Sequence, residues 1–294
     1  MSSAPAPAAA PPVARGAWLA LAVVLGAAFM SLLDTTIVNV ALPTIRTSLD
    51  ASESTLSWII SGYALAFGLA LIPAGRLGDR YGHKWVFITG LALFTAASLA
   101  CGLAQNDLQL IIARVVQGLG GGIFFPAVSA FIQLLFPPMA RGRAFAILGA
   151  VIGVSSALGP LVGGLIIQAL GDETGWRWIF AVNLPIGVIV LVAAIALLPS
   201  EAAGKATSND LIGLVLLSGA LVALLVPLIQ GQEEGWPLWT YLSIGGGVLL
   251  VVLFALWERN VASGGKDPLV PPRVVAHAPR APGTPLRCNR LRGL

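Results

Sequence analysis

The sequence predicts an all-α protein, a polytopic membrane helical bundle of about eight transmembrane helices, and three observations predict it. Charged residues make up only 10% of the 294 positions and hydrophobic ones 57%, whereas soluble domains carry roughly a quarter charged positions. Apolar runs of the about 20 residues that a helix needs to cross about 30 Å of hydrocarbon recur eight times. Lysines and arginines gather at alternate ends of these runs, the asymmetry that orients membrane proteins.

The elements follow in chain order. Residues 1–15, rich in Ala and Pro, form a disordered N-terminus. The first run, Trp18 to Val40, is longer than a signal-peptide core and lacks a convincing cleavage site, so it reads as a retained anchor. Further spans are expected near Leu56 to Ala74, Trp85 to Ala104, Leu108 to Phe136, Phe145 to Leu170 and Trp178 to Leu198, giving a six-helix bundle over residues 16–200. Leu211 to Ile229 and Leu238 to Trp257 supply two additional spans within residues 201–260. Residues 261–294 read as a cytoplasmic tail; beyond Val275 it turns rich in Arg and Pro, as a truncated or frameshifted product would, with a natural half-length protein as the alternative.

With the N-terminus in the cytoplasm, the inner segments hold Arg15, Arg76, Arg80, Lys84, Arg141, Arg143, Lys205, Arg259 and Lys266, and the outer ones only Arg46 and Arg177. The expected location is therefore the cytoplasmic membrane, and the net charge of +4 reflects topology rather than nucleic-acid binding. Cys101 and Cys288 lie in unlike surroundings and offer no disulfide framework. No metal-ligand cluster, nucleotide loop or nucleophile constellation stands out, so the reading has no enzyme activity and no cofactor. The expected partners are the lipid bilayer, protons and a small-molecule substrate.

"GRLGDRYGHK", residues 75–84, is the most polar stretch between two spans. Gly75, Gly78 and Gly82 suit a tight turn between the second and third helices. Asp79 adds nothing to a positive-inside anchor; beside Arg80 and near Lys84 it suggests an ion-pair clasp that can be made and broken as helices move.

Two charges lie deep in the spans. Asp34 in the first would cost about 2.5 to 3.5 kcal/mol as a bare carboxylate, so it must be neutral, paired or facing water. Such a group can be poised to load and release a proton; the plainer alternative is a local polar contact with Thr35 or Asn39. Arg114 sits about 10 Å into the fourth span and cannot usefully lose its proton. Facing a water-filled cavity it could govern Asp34, with Gln117 on the same face; alternatively it only bonds backbone carbonyls. In the fifth span Gly149, Gly153, Ser156, Pro160, Gly163 and Gly164 fall within one helical face, which favours close packing and, at Pro160, a bend. Trp176, Arg177 and Trp178 read as an interfacial belt.

These stretches together resemble the major facilitator superfamily, and within it the fourteen-span drug:proton antiporter group. "GRLGDRYGHK" is similar to the family's loop pattern, with His83 where arginine is preferred and Gly78 where alanine is usual. "LDTTIVNVALP" (Leu33 to Pro43), "RVVQGLGGG" (Arg114 to Gly122), "GVSSALGPLVGG" (Gly153 to Gly164) and "WRWIFAVNLPIG" (Trp176 to Gly187) resemble its motifs on the first, fourth, fifth and sixth helices.

The resemblance implies two six-helix halves around a midplane site, of which this chain supplies the N-terminal half and two extra spans. It implies proton-coupled export of small amphipathic or cationic compounds, with Asp34 and Arg114 coupling protons and Asn39 and Gln117 in the substrate cavity. Gly75, Asp79, Arg80, Gly82 and Lys84 would form the conformational switch. Gly153, Gly159, Pro160, Gly163 and Gly164 would form the antiporter motif that seals the halves. A missing C-terminal half or a homo-oligomer would complete the transporter; the alternative is a non-transporting remnant or accessory partner.

Overall fold

A computed structural model of the chain describes residues 14–171, 173–200, 210–231 and 234–263, and every described regular element is helical. The helices are α1 (Arg15–Leu49), α2 (Glu53–Tyr81), α3 (His83–Leu103), α4 (Asp107–Leu135), α5 (Pro138–Leu170), α6 (Gly175–Ala181), α7 (Asn183–Leu197), α8 (Leu211–Gln230) and α9 (Leu238–Ser263). Counting α6 and α7 as one span, eight are long and apolar enough to cross a membrane. Lys205, Lys266, Cys288 and the tail beyond Val275 lie outside the described residues.

Polar signals start and stop these helices. Ser52 and Asn106 cap α2 and α4 by accepting from the N–H groups of Thr55 at 3.1 Å and Gln109 at 2.9 Å. Asp50, at φ 50°, closes α1 in the left-handed conformation. The hydrogen-bond ladder of the sixth span is interrupted: Pro185 has no N–H to return to the carbonyl of Ala181, and α6 gives way to α7 at Val182, whose backbone stays helical at φ −55° and ψ −32°.

The 75–84 stretch corrects its sequence reading. It is helical up to Tyr81 and again from His83, so the connection between α2 and α3 is the single residue Gly82, whose φ of 91° suits glycine. Gly75 lies inside α2 with open space around it, and Gly78 packs against the His83 imidazole.

The bundle is not arranged in chain order. α4 packs between α2 and α3, α1 lies against α5 and α7, and α3 meets α6 and α7. The glycine run of α4 makes the first contact close: a Cβ at Gly118 or Gly122 would strike the α2 carbonyls of Tyr63 or Phe67, and one at Gly120 would sit 2.5 Å from Phe94 N on α3. α8 and α9 pair with each other and touch the bundle through α2.

On α5 the expected single face divides in two. Gly159 and Gly163 are buried against Thr36 and Ile37 of α1, whereas Gly149, Gly153, Ser156 and Pro160 are exposed. The glycines among these exposed positions, and Gly164, have nothing within 4 Å of a Cβ. The packing surface is therefore centred on Ser155, Gly159 and Gly163, turned away from the Gly153–Pro160 stripe. Trp176 also departs from the interfacial reading: it is fully buried and donates from Nε1 to Ser48 Oγ at 3.1 Å, leaving only Trp178 exposed.

Candidate functional site: a buried carboxylate and its guanidinium

The close α4 packing carries Arg114 into the interior, where it meets Asp34. Both are buried, and Arg114 Nη1 donates to Asp34 Oδ2 at 2.6 Å. The other carboxylate oxygen, Oδ1, accepts from Gln117 Nε2 at 2.9 Å and from Asn183 Nδ2 at 2.7 Å. Four spans thus converge on one carboxylate: α1 supplies it, α4 two donors, the sixth span one, and α3 braces that last donor through Ser98.

Removing an ion pair from water costs several kcal/mol per ion before the partners compensate. Compensation here is thorough. Besides Asp34, Arg114 donates from Nη1 to Gln117 Oε1 at 2.8 Å and from Nε to Ile59 O at 3.1 Å. Its guanidinium lies over the Tyr63 ring at 4.1 Å and near that of Phe180 at 5.8 Å. Tyr63 is held in turn by a 3.0 Å hydrogen bond between its hydroxyl and Ser31 Oγ. Cys101 donates weakly from Sγ to Gln117 Oε1 at 3.5 Å.

The sequence-predicted residues are distributed as follows. Asp34, Arg114 and Gln117 meet, sealed inside the bundle rather than facing a water-filled cavity, because α2, α3 and the sixth span close over them. Arg114 bonds both the carboxylate and a backbone carbonyl, so it is not confined to backbone contacts. Asp34 takes no bond from Thr35 or Asn39. Asn39 and Gln117 do not share a surface: Asn39 is exposed on α1 and donates to Thr35 O at 3.2 Å, while Gln117 is fully buried.

At the end of the bundle that carries the 75–84 stretch, Asp79 faces His83, with Oδ1 and Nε2 3.4 Å apart, instead of clasping Arg80 or Lys84. Arg80 lies over the Tyr81 ring at 5.2 Å. Lys84 donates from Nζ to Ile195 O and Leu198 O, both at 2.8 Å, closing the C-terminus of α7. The turn at Gly82 explains the change: its φ of 91° redirects the chain so that His83, the first residue of α3, comes beside Asp79 in the last turn of α2, while Arg80, the next residue on α2, points apart from Asp79. Asp79, His83, Gln133 and Arg141 line a cleft there of about 500 Å³.

Asn183 and Ser98 are the members that sequence reasoning missed. Asn183 had a signal, since a lone amide inside an apolar span is expensive without a partner. Ser98 had none, because a serine satisfies its hydroxyl on its own helix at little cost.

Comparisons with known proteins agree with this architecture. A family profile described as Major Facilitator Superfamily matches residues 24–290. The chain is 43% identical over 256 residues to the probable actinorhodin transporter of Streptomyces coelicolor, covering 87% of this chain and 44% of that protein. It is 37% identical over 271 residues to the tetracenomycin C resistance and export protein of Streptomyces glaucescens, covering 92% and 49%. Among solved structures, the proton:xylose symporter XylE superposes with a TM-score of 0.58 at 14% identity, over 85% of this chain and 56% of that one, a likeness of fold alone. The chain spans about half the length of the curated relatives it matches.

Proposed function

The chain belongs to the Major Facilitator Superfamily, and from that premise we propose that it carries the proton-handling bundle of an exporter of small amphipathic or cationic compounds. The finer assignment, to the fourteen-span drug:proton antiporter group with the N-terminus in the cytoplasm, is part of the same proposal. Its motifs and its basic segments at one end of the bundle support it. The names of the relatives, a probable actinorhodin transporter and a resistance and export protein, favour export over uptake.

One observation carries the proton-coupled reading: Asp34 is the ionisable partner of a cation that has somewhere else to go. When Asp34 accepts a proton, the ion pair with Arg114 is lost. Arg114 retains Gln117 Oε1, Ile59 O and the Tyr63 ring, so the guanidinium is not orphaned in the low-dielectric interior. Protonation thus leaves the guanidinium hydrogen-bonded but without its counter-charge, a state of higher energy than the paired one in the closed bundle. Alternating access then has a chemical lever, because opening the bundle exposes the pair to water on one side and closing it enforces neutrality or pairing. The exposed face of α1 with Thr35 and Asn39, and the Gly149–Pro160 stripe of α5, offer surface for a second bundle and a substrate path between.

The test is export by the protein as its gene expresses it, reconstituted in proteoliposomes under an imposed pH gradient. Gradient-driven movement of amphipathic compounds that disappears in Asp34→Asn supports the reading. Transport that keeps its full proton coupling in Asp34→Asn sinks it.

A further inference from the structure

The two oxygens of Asp34 are held differently. Oδ2 faces the charged donor, Arg114 Nη1, and Oδ1 faces two neutral amides, Gln117 Nε2 and Asn183 Nδ2. Asn183 is the first residue of α7, directly after the break at Val182, and its side chain is buried.

Its amide orientation is fixed by its other contact. Ser98 Oγ donates to Phe180 O at 2.9 Å, so its single proton is committed and it can only accept from Asn183 Nδ2, at 3.0 Å. A flipped amide would set its oxygen against Asp34 Oδ1 and against a serine with no proton left to give. Ser98 therefore ties together both sides of the break, Phe180 on α6 and Asn183 on α7, and directs the Asn183 N–H at the carboxylate.

We propose that Asn183 is a positioning residue for proton exchange: braced by Ser98 at the break of the sixth span, it pins Oδ1 of Asp34 so that the proton is taken up and released at Oδ2, on the Arg114 side. The inference rests on Asp34 being the proton-binding group. Neutral donors keep Oδ1 in place whether or not the carboxyl is charged, whereas the bond at Oδ2 exists in full only with the carboxylate. The other ionisable groups around Asp34 are Arg114 on α4, Tyr63 on α2 and Cys101 on α3. α5 packs on α1 through Ser155 and Gly159 and carries no ionisable side chain from Ala144 to Leu170. On α6, Arg177 is turned to the Trp176 ring and to Gly102 O. Asn183 is thus the one contact by which the sixth span acts on this carboxylate among the described residues. Any shift of α7 at the break alters the Oδ1 bond before it alters the ion pair.

The test follows the Asp34 carboxyl directly, by infrared difference titration of the purified 294-residue chain in lipid nanodiscs, with the band assigned by its loss in Asp34→Asn. Asn183→Leu keeps the volume and removes the donor. In the parent chain the C=O stretch of protonated Asp34 is expected at the lowered frequency of an oxygen that accepts hydrogen bonds, and in Asn183→Leu at a higher one. Ser98→Ala, which frees the amide without removing it, is expected to raise the frequency by less, and Asn183→Gln to recover part of the shift. A residue that only fills space would lower the unfolding temperature and leave the frequency where it was. That result in Asn183→Leu overturns the proposal; should that variant fail to fold, an unmoved frequency in Ser98→Ala overturns it equally. If the parent chain shows no titrating Asp34 band, the proton-binding reading falls along with it, a different outcome from an unshifted variant.

Discussion

Arg114 Nη1 and Asp34 Oδ2 meet at 2.6 Å between helices whose two residues are 80 positions apart, and their side chains keep 2% and 0% of their solvent exposure. Breaking such a pair from one side strands a buried charge, while removing both partners leaves nothing charged to strand.

Arg114→Leu is therefore expected to destabilise the chain by about 3–5 kcal/mol. The double change Asp34→Leu with Arg114→Leu is expected to lose clearly less than the single one. Thermal unfolding in detergent followed by circular dichroism measures both. A double variant as unstable as the sum of the singles would show that the two side chains stabilise the bundle independently, not as a pair.

The two faces of α5 predict opposite sensitivities. Gly159→Ala drives a methyl into Thr36 and the backbone of α1 and is expected to cost about 1–3 kcal/mol. Gly153→Ala, with nothing within 4 Å, is expected to leave the unfolding temperature of this chain unchanged or slightly raised, since alanine is the better helix former. Should Gly153→Ala impair gradient-driven export by the protein as its gene expresses it without loss of stability, its face is one that a second bundle covers.

Asp79 lies far along the chain from the buried pair, 64% exposed and facing His83 at the cleft that Arg141 also lines. We expect Asp79→Asn to slow transport while leaving substrate affinity largely intact, because this end of the bundle contributes no group to the Asp34 site. Initial rates against substrate concentration separate the two effects. An affinity loss as large as the rate loss would contradict this placement.

Expressed alone, the 294-residue chain is expected to insert in the membrane without catalysing sustained antiport. Insertion needs long apolar helices with satisfied backbones, and the described residues contain eight. Alternating access rocks one bundle against another, and this chain is about half the length of its relatives. Liposome uptake under an imposed pH gradient decides the matter. Saturable, gradient-driven transport abolished by Asp34→Asn would establish that this chain, alone or as a homo-oligomer, suffices.

The sequence was readable wherever one helix at a time settles the outcome. Eight apolar runs became eight spans because transfer into hydrocarbon sums over a single helix, with no reference to its neighbours. The depth of Asp34 and Arg114 was legible for the same reason, each being a charge too costly to leave alone at its distance from a span end. Periodicity also placed small residues on one side of α5, yet it could not say which side packs, and the buried face proved to be centred on Ser155 and Gly159.

Partner choice was decided by the tertiary structure. Asp79 had Arg80 and Lys84 beside it in sequence, but the turn at Gly82 brought His83 to it and sent Lys84 to the end of α7. Asn183 reaches Asp34 across 149 residues, an encounter that depends on the break at Val182, on the α1–α7 contact and on a serine of α3. Hydropathy and helix period are local properties and were present in the chain from the start. Which buried donor meets which acceptor depends on distances between helices, and those exist only once the glycines of α4 and α5 have let the backbones close.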